Sequence, residues 1–394
     1  MTPSGVDGPG GGEPAAGFDY ELPPERIAQQ PPPEREGARL MLVSRGGAEA
    51  PRDSVVRDLP SHLRSGDLLV VNRSRVFPAR LRGRRVPEGG AVELLLVAPS
   101  GETRAGEGER WRVLAKPARR LREGQRIALA AAARSAAANG PARVAAGATP
   151  DASAPRASSP GQEAAPVVVE VRGRGEGWLE IALPAGLRAI ELADRIGETP
   201  LPPYIRRPEG PTDDDATRYQ TVFAREPGSI AAPTAGLHLT EALIERLRVH
   251  GIGLAEVVLH VGPATFLAGQ PGRGALAVEP ERYLLPPATR DAIERTKSAP
   301  GGRVIAVGTT TTRALESAAR AGWPDGLVET SLVLSPGSRF EVLDGLLTNF
   351  HLPGSSLLAL VAGFAGVDGA RAAYEAAVAR GYRFYSYGDA MLIL

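Results

Sequence analysis

Hydrophobic and polar positions divide the chain into stretches of three textures. Residues 1–17 (MTPSGVDGPGGGEPAAG) are Gly, Pro and small side chains with almost no large apolar group, and are expected to be a disordered tail. Ordered sequence is expected from Phe18, where FDYELPPERIAQ alternates apolar and acidic groups ahead of a short helical turn. GDLLVVN (66–72) reads as a turn feeding a short buried strand. From about Val76 the texture is β-like. Residues 91–98, 111–115, 125–130, 167–171 and 178–183 are short apolar runs between Gly-rich turns, without helical periodicity, which suggests a small barrel or sandwich. Between them, residues 131–166 are almost wholly Ala, Gly, Pro and Ser. Such a stretch buries too little apolar surface to offset its ordering entropy, and a disordered loop is expected.

After Gly197 helices and strands alternate. Thr240 is placed to cap a helix running to about His250, with Leu243, Ile244 and Leu247 on one face and Gly251 as its stop. Strands are expected at 254–261, 303–307, 331–334 and 390–394. Helices are expected at 286–298, from Gly308 through Ala319, at 355–364 and at 369–380. The alternation predicts an α/β layer with a partly parallel sheet. The fold class expected is an α/β main domain with an inserted small β-barrel domain. The main domain is discontinuous over 18–75 and 195–394; the barrel spans 76–194 and carries the loop 131–166.

Composition sharpens this picture in three places. The 394 residues exceed what one core holds, in keeping with two domains. No apolar run reaches the ~18 residues a membrane helix needs, and no secretory leader pattern opens the chain, so no membrane association and a cytoplasmic location are expected. Cysteine is absent, which removes disulfides, thiolate nucleophiles and Cys-ligated metal or iron–sulfur centres. The formal net charge is only +1, yet residues 73–126 carry a net +8. A basic block in a near-neutral protein suits a polyanion, although a chain with only two lysines, Lys116 and Lys297, also favours Arg everywhere.

Four clusters carry candidate chemistry. APTAGLHLT (232–240) brings Thr234, His238 and several backbone N–H groups to a helix start, where an anion or a proton transfer is served; the plain alternative is a capped loop braced by His238. VGTTTTR (307–313) sets Thr310, Thr311 and Arg313 after a strand, where ligands of open α/β sheets lie; the plain alternative is hydroxyl caps and a solvent Arg. It is neither a Walker A nor a G-x-G-x-x-G motif. TNFHLPGSS (348–356) offers Asn349 and His351 at another helix start. YRFYSYGD (382–389) offers Tyr387 and Asp389 among rings suited to stacking, or equally to core packing. His260 reads as a core strand residue, His62 and His250 as surface residues. No His pair has metal-ligand spacing, so no metal is expected.

Several strings in order carry a resemblance: FDYELPPERIAQ, VVNRSRVFPARLRG (70–83), PLPPYIRR (200–207), RYQTVFA (218–224), PTAGLHLT (233–240), LHVGPATF (259–266), VGTTTTRALES (307–317), LLTNFHLPGSSLLALV (346–361) and YRFYSYGDAMLI (382–393). Together they resemble the S-adenosylmethionine:tRNA ribosyltransferase-isomerases of queuosine synthesis. The resemblance implies transfer and isomerisation of the ribosyl part of S-adenosylmethionine onto a 7-aminomethyl-7-deazaguanine in tRNA, giving epoxyqueuosine-tRNA, adenine and methionine. It implies an α/β domain with an inserted barrel, S-adenosylmethionine as co-substrate, no metal, tRNA as partner, and no obligatory protein partner. The chain departs from the family's usual pattern at Asn72-Arg73-Ser74, at Pro263, Ala264 and Leu267, and around 277–280. Two alternatives stand beside this: a paralogue acting on another 7-deazapurine or nucleoside, and a non-catalytic RNA-binding protein on the same fold. The site expected is His238, His351, Asn349 and Glu279 for catalysis; Thr234, Thr310, Thr311, Arg313, Tyr387 and Asp389 for the co-substrate; and Arg80, Arg82, Arg84 and Arg206 for tRNA.

Overall fold

The computed structural model describes residues 16–101, 106–130, 166–263 and 280–394; residues 1–15 of the expected tail, 131–165 of the expected loop, and Glu279 lie outside the described residues. Two compact units result, one of Phe77–Pro200 and one of the residues before and after it. In chain order the first unit opens with β1 (Arg39–Val43), β2 (Arg52–Val55), α1 (Leu59–His62), β3 (Leu68–Asn72) and β4 (Ser74–Val76). The second unit holds β5 (Arg80–Val86), β6 (Ala91–Pro99), β7 (Arg110–Lys116), β8 (Arg126–Leu129), β9 (Val167–Gly175), β10 (Trp178–Ala182) and α2 (Ala189–Ile196). The first unit resumes with α3 (Asp213–Arg218), β11 (Glu226–Ser229), α4 (Glu241–Val249), β12 (Gly253–Leu259), β13 (Glu281–Leu284), α5 (Pro287–Ser298) and β14 (Val304–Val307). It ends with α6 (Thr309–Arg320), β15 (Leu327–Thr330), β16 (Gly345–Asn349), α7 (Ser356–Ala365), α8 (Val367–Ala379) and β17 (Ala390–Ile393).

The first unit is built on a nine-stranded sheet in the order β15-β13-β12-β3-β14-β16-β17-β1-β2. Its middle is parallel: β3 pairs with β12 and β14, and β14 with β16. β3 is LLVVN, buried at all five positions, as a strand covered on both faces must be. The two-residue period sorts its side chains, with Leu68 and Val70 in one core and Leu69 and Val71 in the other. β14 divides the same way, Val304 and Ala306 against Ile305 and Val307. Ala314, Leu315 and Ala318 of α6 pack on the first face, Leu243, Ile244 and Leu247 of α4 on the second. The Thr240 hydroxyl caps α4 by accepting from the Leu243 N–H at 3.0 Å.

The second unit is a closed antiparallel barrel, β10-β7-β6-β5-β8-β9, so the chain is an α/β unit whose sequence is interrupted by a β-barrel. β5 escapes the apolar pattern because its sequence is RLRGRRV. Leu81 and Gly83 are buried while Arg82 and Arg84 face out, and the arginines mask the strand.

The strand expected at 331–334 lies instead at Leu327–Thr330. The Leu332 N–H donates to Thr330 Oγ1 and its carbonyl accepts from Arg313 Nε, so side chains rather than a neighbouring strand satisfy this backbone. The same pattern did not anticipate β1, β2, β13 or β16.

Glu316 holds the approach to β16. Its side chain is fully buried and accepts from the backbone N–H groups of Glu341 (2.8 Å), Val342 (3.0 Å) and Leu343 (3.2 Å). Glu316→Ala strands these buried donors, and a loss of about 3 kcal/mol or more in urea unfolding is expected. A loss below about 1 kcal/mol would mean that water replaces the carboxylate.

Candidate active site

Parallel pairing brings the carboxyl ends of β3, β12, β14 and β16 to one edge of the sheet, where Asn72, His260, Gly308 and Asn349 sit. β17 runs against β16 with Ala390 opposite Asn349, which delivers Asp389 to the same edge. β13 runs against β12 and delivers Glu281. Gly308 makes the turn into α6 with φ +95°, a left-handed conformation that a side chain would strain.

Asn349 is buried and its Nδ2 faces His238 Nε2 at 3.2 Å, the Tyr385 carbonyl at 3.0 Å and the Asp389 carbonyl at 3.5 Å. Its Oδ1 is buried and has no partner among the described residues. His238 closes the tight turn Thr234–His238 and is only 2% exposed. The Arg35 backbone also hydrogen-bonds the imidazole, and burial pushes it down to about 4, against a smaller upward pull from Asp389.

His351 is half-buried, with Nε2 against Thr348 Oγ1 at 3.0 Å. The Tyr20 hydroxyl donates to its carbonyl and its N–H donates to the Tyr374 hydroxyl at 3.0 Å. Nδ1 makes no hydrogen bond among the described residues, and burial pushes this imidazole down to about 4 as well. On α6, Thr311 and Thr312 turn their hydroxyls back onto the carbonyls of Val307 (2.8 Å) and Gly308 (3.2 Å). Thr310 Oγ1 is buried and unpartnered among the described residues. Arg313 is buried, pairs with the Glu281 carboxylate and donates from Nε to the Leu332 carbonyl, leaving Nη2 unpartnered among the described residues. Glu281 in turn accepts from the Gly262 N–H at 2.8 Å.

The remaining expected residues fall in other settings. Thr234 is half-buried on the His238 turn. The Tyr387 hydroxyl donates to Asp215 at 3.2 Å, and Arg207 holds that carboxylate with two bonds of 2.8 Å. Asp389 accepts from the backbone N–H groups of Arg39 and Arg383, so its carboxylate braces the chain before β17. In the barrel unit, Arg82 pairs with both oxygens of Glu198 at 2.7 and 3.0 Å. Arg84 is exposed and donates to the Gly89 carbonyl at 3.2 Å, while Arg80 lies 3.8 Å from Glu93. In the first unit Arg206 is exposed and its backbone N–H donates to Gln29.

Sequence reasoning missed Tyr20 and Tyr374, which clamp the His351 backbone, and Tyr385, held at φ +72° with its ring 4.1 Å from that of Tyr204. The aromatic residues of PPYIRR and YSYG were the available signal; the left-handed backbone had none. Among the described residues no group of three or more His, Cys, Asp or Glu is placed to hold a metal. Among them too, no single helix is long and apolar enough to cross a membrane.

A family model described as queuosine biosynthesis protein matches residues 15–393. The chain is 46% identical over 385 residues to the S-adenosylmethionine:tRNA ribosyltransferase-isomerase of Thermus thermophilus, covering 96% of this chain and 98% of that one. It is 44% identical over 401 residues to the protein of that name from Sorangium cellulosum, covering 95% and 97%. A solved S-adenosylmethionine tRNA ribosyltransferase from Thermotoga maritima aligns at 33% identity over 96% of this chain and 99% of that one, with a TM-score of 0.49.

Burial carries a pH consequence. His238, His260 and His351 all sit at about 4 in the folded state, below the usual ~6.5 of the unfolded chain. Between these values the unfolded chain binds more protons, so the stability they contribute is complete above about pH 6.5 and drains away as pH falls. The urea midpoint is expected to drop between about pH 7 and about pH 5, a window above the titration of Asp53 and Asp215, whose carboxyls are held low by the Tyr382 hydroxyl and by Arg207. An unchanged midpoint would mean that these rings charge freely in the fold.

Proposed function

The chain belongs to the queuosine biosynthesis protein family, and from that premise we propose how its own residues carry out S-adenosylmethionine:tRNA ribosyl transfer and isomerisation. The activity moves the ribosyl moiety of S-adenosylmethionine onto a 7-aminomethyl-7-deazaguanine in tRNA and releases adenine and methionine. The observation that carries the assignment is the family match over residues 15–393, joined to 44–46% identity with enzymes of that activity over nearly the whole chain.

The co-substrate lies over the carboxyl edge of the first unit's sheet. The chemistry needs a base for the carbon beside the sulfonium, whose protons the positive sulfur acidifies. His351 suits that role better than His238: the residue is half-buried rather than enclosed, and Nδ1 has no hydrogen bond among the described residues while Thr348 faces Nε2. In this arrangement Nε2–H donates to Thr348 and the Nδ1 lone pair takes the proton. With its imidazole at about 4, His351 is neutral at physiological pH, and activity on this account falls only as pH descends towards that value. Thr310 Oγ1 and Arg313 Nη2, both without partners among the described residues, supply a hydroxyl and a guanidinium N–H for the polar groups of the methionine and nucleoside. Thr234 and Thr311 line the same turns; Tyr387 and Asp389 act behind them as braces.

The assay is incubation with S-adenosylmethionine and tRNA carrying the aminomethyl base, followed by adenine and nucleoside analysis. Epoxyqueuosine-tRNA and adenine are expected. Adenine release only with a free 7-deazapurine would move the acceptor, and tRNA retention without adenine release would leave a binding protein. In the same assay His351→Ala is expected to lower turnover about a hundred- to ten-thousand-fold with the fold intact. Near-normal turnover would remove His351 from the chemistry.

Phosphate contacts are proposed for Arg206, Arg84, Arg80 and Arg82, in a cytoplasmic protein that meets its tRNA there. Arg84→Ala and Arg206→Ala should each weaken tRNA binding and reduce the salt slope by about one. Arg82→Ala should do less, because Glu198 already occupies that guanidinium. Equal effects of Arg82 and Arg84 would show that the Glu198 pair opens on RNA.

A further inference from the structure

His238 meets every sequence requirement of a proton-transfer residue, and its surroundings assign it another task. Two carbonyl oxygens, of Tyr385 and Asp389, face Asn349 Nδ2 at 3.0 and 3.5 Å. Only the NH2 end of a carboxamide can face carbonyls, so the orientation of this amide follows from its neighbours. An NH2 group donates and has nothing to accept with. His238 Nε2, 3.2 Å from the same nitrogen, is therefore the acceptor, and the ring proton sits on Nδ1. The ring's hydrogen bond to the Arg35 backbone stabilises the protonated ring nitrogen, so a ring N–H donates there, in agreement. Arg35 also donates from its guanidinium to the Leu237 carbonyl at 3.1 Å, which ties down the backbone next to the ring.

The other end of the carboxamide follows. With Nδ2 turned towards His238 and the two carbonyls, Oδ1 is left as a buried acceptor with no partner among the described residues. Such an acceptor is costly to leave unfilled. It lies at the end of β16, on the edge where β3, β12 and β14 also end.

We propose that His238 is a positioning residue, locked as the neutral Nδ1–H tautomer, which holds the Asn349 carboxamide so that Oδ1 receives an O–H or N–H hydrogen from the nucleoside of S-adenosylmethionine. The proposal rests on the functional reading above for the ligand, and on the hydrogen bonds alone for the tautomer. It accounts for a histidine enclosed at a site that must remain neutral. Protonation at Nε2 would set an N–H against the Asn349 NH2 and turn the amide. The charged groups that bear on the ring are Asp389, which favours protonation, and Arg383 and Arg35, which oppose it.

Two measurements test this. The first uses the full-length wild-type chain with ring-labelled histidine and nitrogen NMR. The expected result is one imidazole that stays a neutral Nδ1–H tautomer from about pH 8 down to about pH 5.5 and disappears from the spectrum of a His238 variant. A His238 ring that carries its proton on Nε2, or that titrates in this range, overturns the proposal. The second compares His238→Ala with His238→Gln, whose side-chain oxygen can accept from Asn349 where Nε2 does. Loss of the lock in the Ala variant should lower kcat about tenfold, and Gln should restore most of it with the pH profile of kcat unchanged. Equal losses of about a hundred- to ten-thousand-fold in both, in folded protein, mark a proton-transfer residue and overturn the proposal. Two nucleoside analogues then identify the donor: a co-substrate without the 6-amino group, or one without a ribose hydroxyl, should lose no further affinity in Asn349→Ala. A wild-type chain that releases no adenine overturns the functional reading, while the tautomer measurement still decides the role of His238.

Discussion

One carboxamide governs the geometry of the site. Asn349 ends β16, and its NH2 group reaches the carbonyls of Tyr385 and Asp389, in the segment that turns back into β17, and the imidazole of His238, in the turn that precedes α4. These segments are remote in sequence, and no backbone ladder joins all three. The sheet changes here from parallel pairing, β14 with β16, to antiparallel pairing, β16 with β17. The strained Tyr385 sits at that change, donating its N–H to the Phe350 carbonyl at 3.1 Å. A residue held at φ +72° persists only where its surroundings over-determine it, and the bond from Asn349 to its carbonyl is part of that determination.

The interior treats polar groups in two ways. Away from the edge several are fully used by the backbone. The Asn72 side chain exchanges hydrogen bonds with both the N–H and the carbonyl of Leu259 and accepts from the Ser74 N–H, extending the β3–β12 pairing by a side chain. Asp67 at the amino end of β3 takes two bonds from Arg303, and Glu316 takes three backbone donors. At the carboxyl edge several are not: Asn349 Oδ1, Thr310 Oγ1, Arg313 Nη2 and His260 Nδ1 are buried without partners among the described residues. Four unpartnered atoms gathered at the ends of the parallel strands make that edge the natural place to look for a ligand.

Burial also explains why the histidines are poor guides when seen as letters. An isolated imidazole near neutral pH suits acid–base work, but His238 and His351 are both lowered to about 4 by desolvation. What separates them is which ring nitrogens are occupied. His238 is bonded by Asn349 and by the Arg35 backbone, while His351 Nδ1 has no hydrogen bond among the described residues. Arg313 shows the same contrast, since half of its guanidinium is already committed to Glu281 and Leu332.

By itself the sequence determined what depends on local pattern. The fully apolar β3, the capped α4, the alternation of helix and strand after Gly197 and the short β-runs of the barrel are statements about neighbouring residues, and periodicity and caps report them directly. The clusters around His238, Thr310, Asn349 and Asp389 were legible too, because small and polar residues at strand ends are themselves a local signal. Strand β5 was hidden by its arginines, and β15 was misplaced because side chains rather than a neighbouring strand satisfy the backbone at residue 332. Only the tertiary structure decided which nitrogen of which imidazole is free, which oxygen of Asn349 faces outwards, and which arginines already have a carboxylate. Those properties belong to hydrogen bonds between residues 19 to 187 positions apart, and no pattern within one segment encodes them.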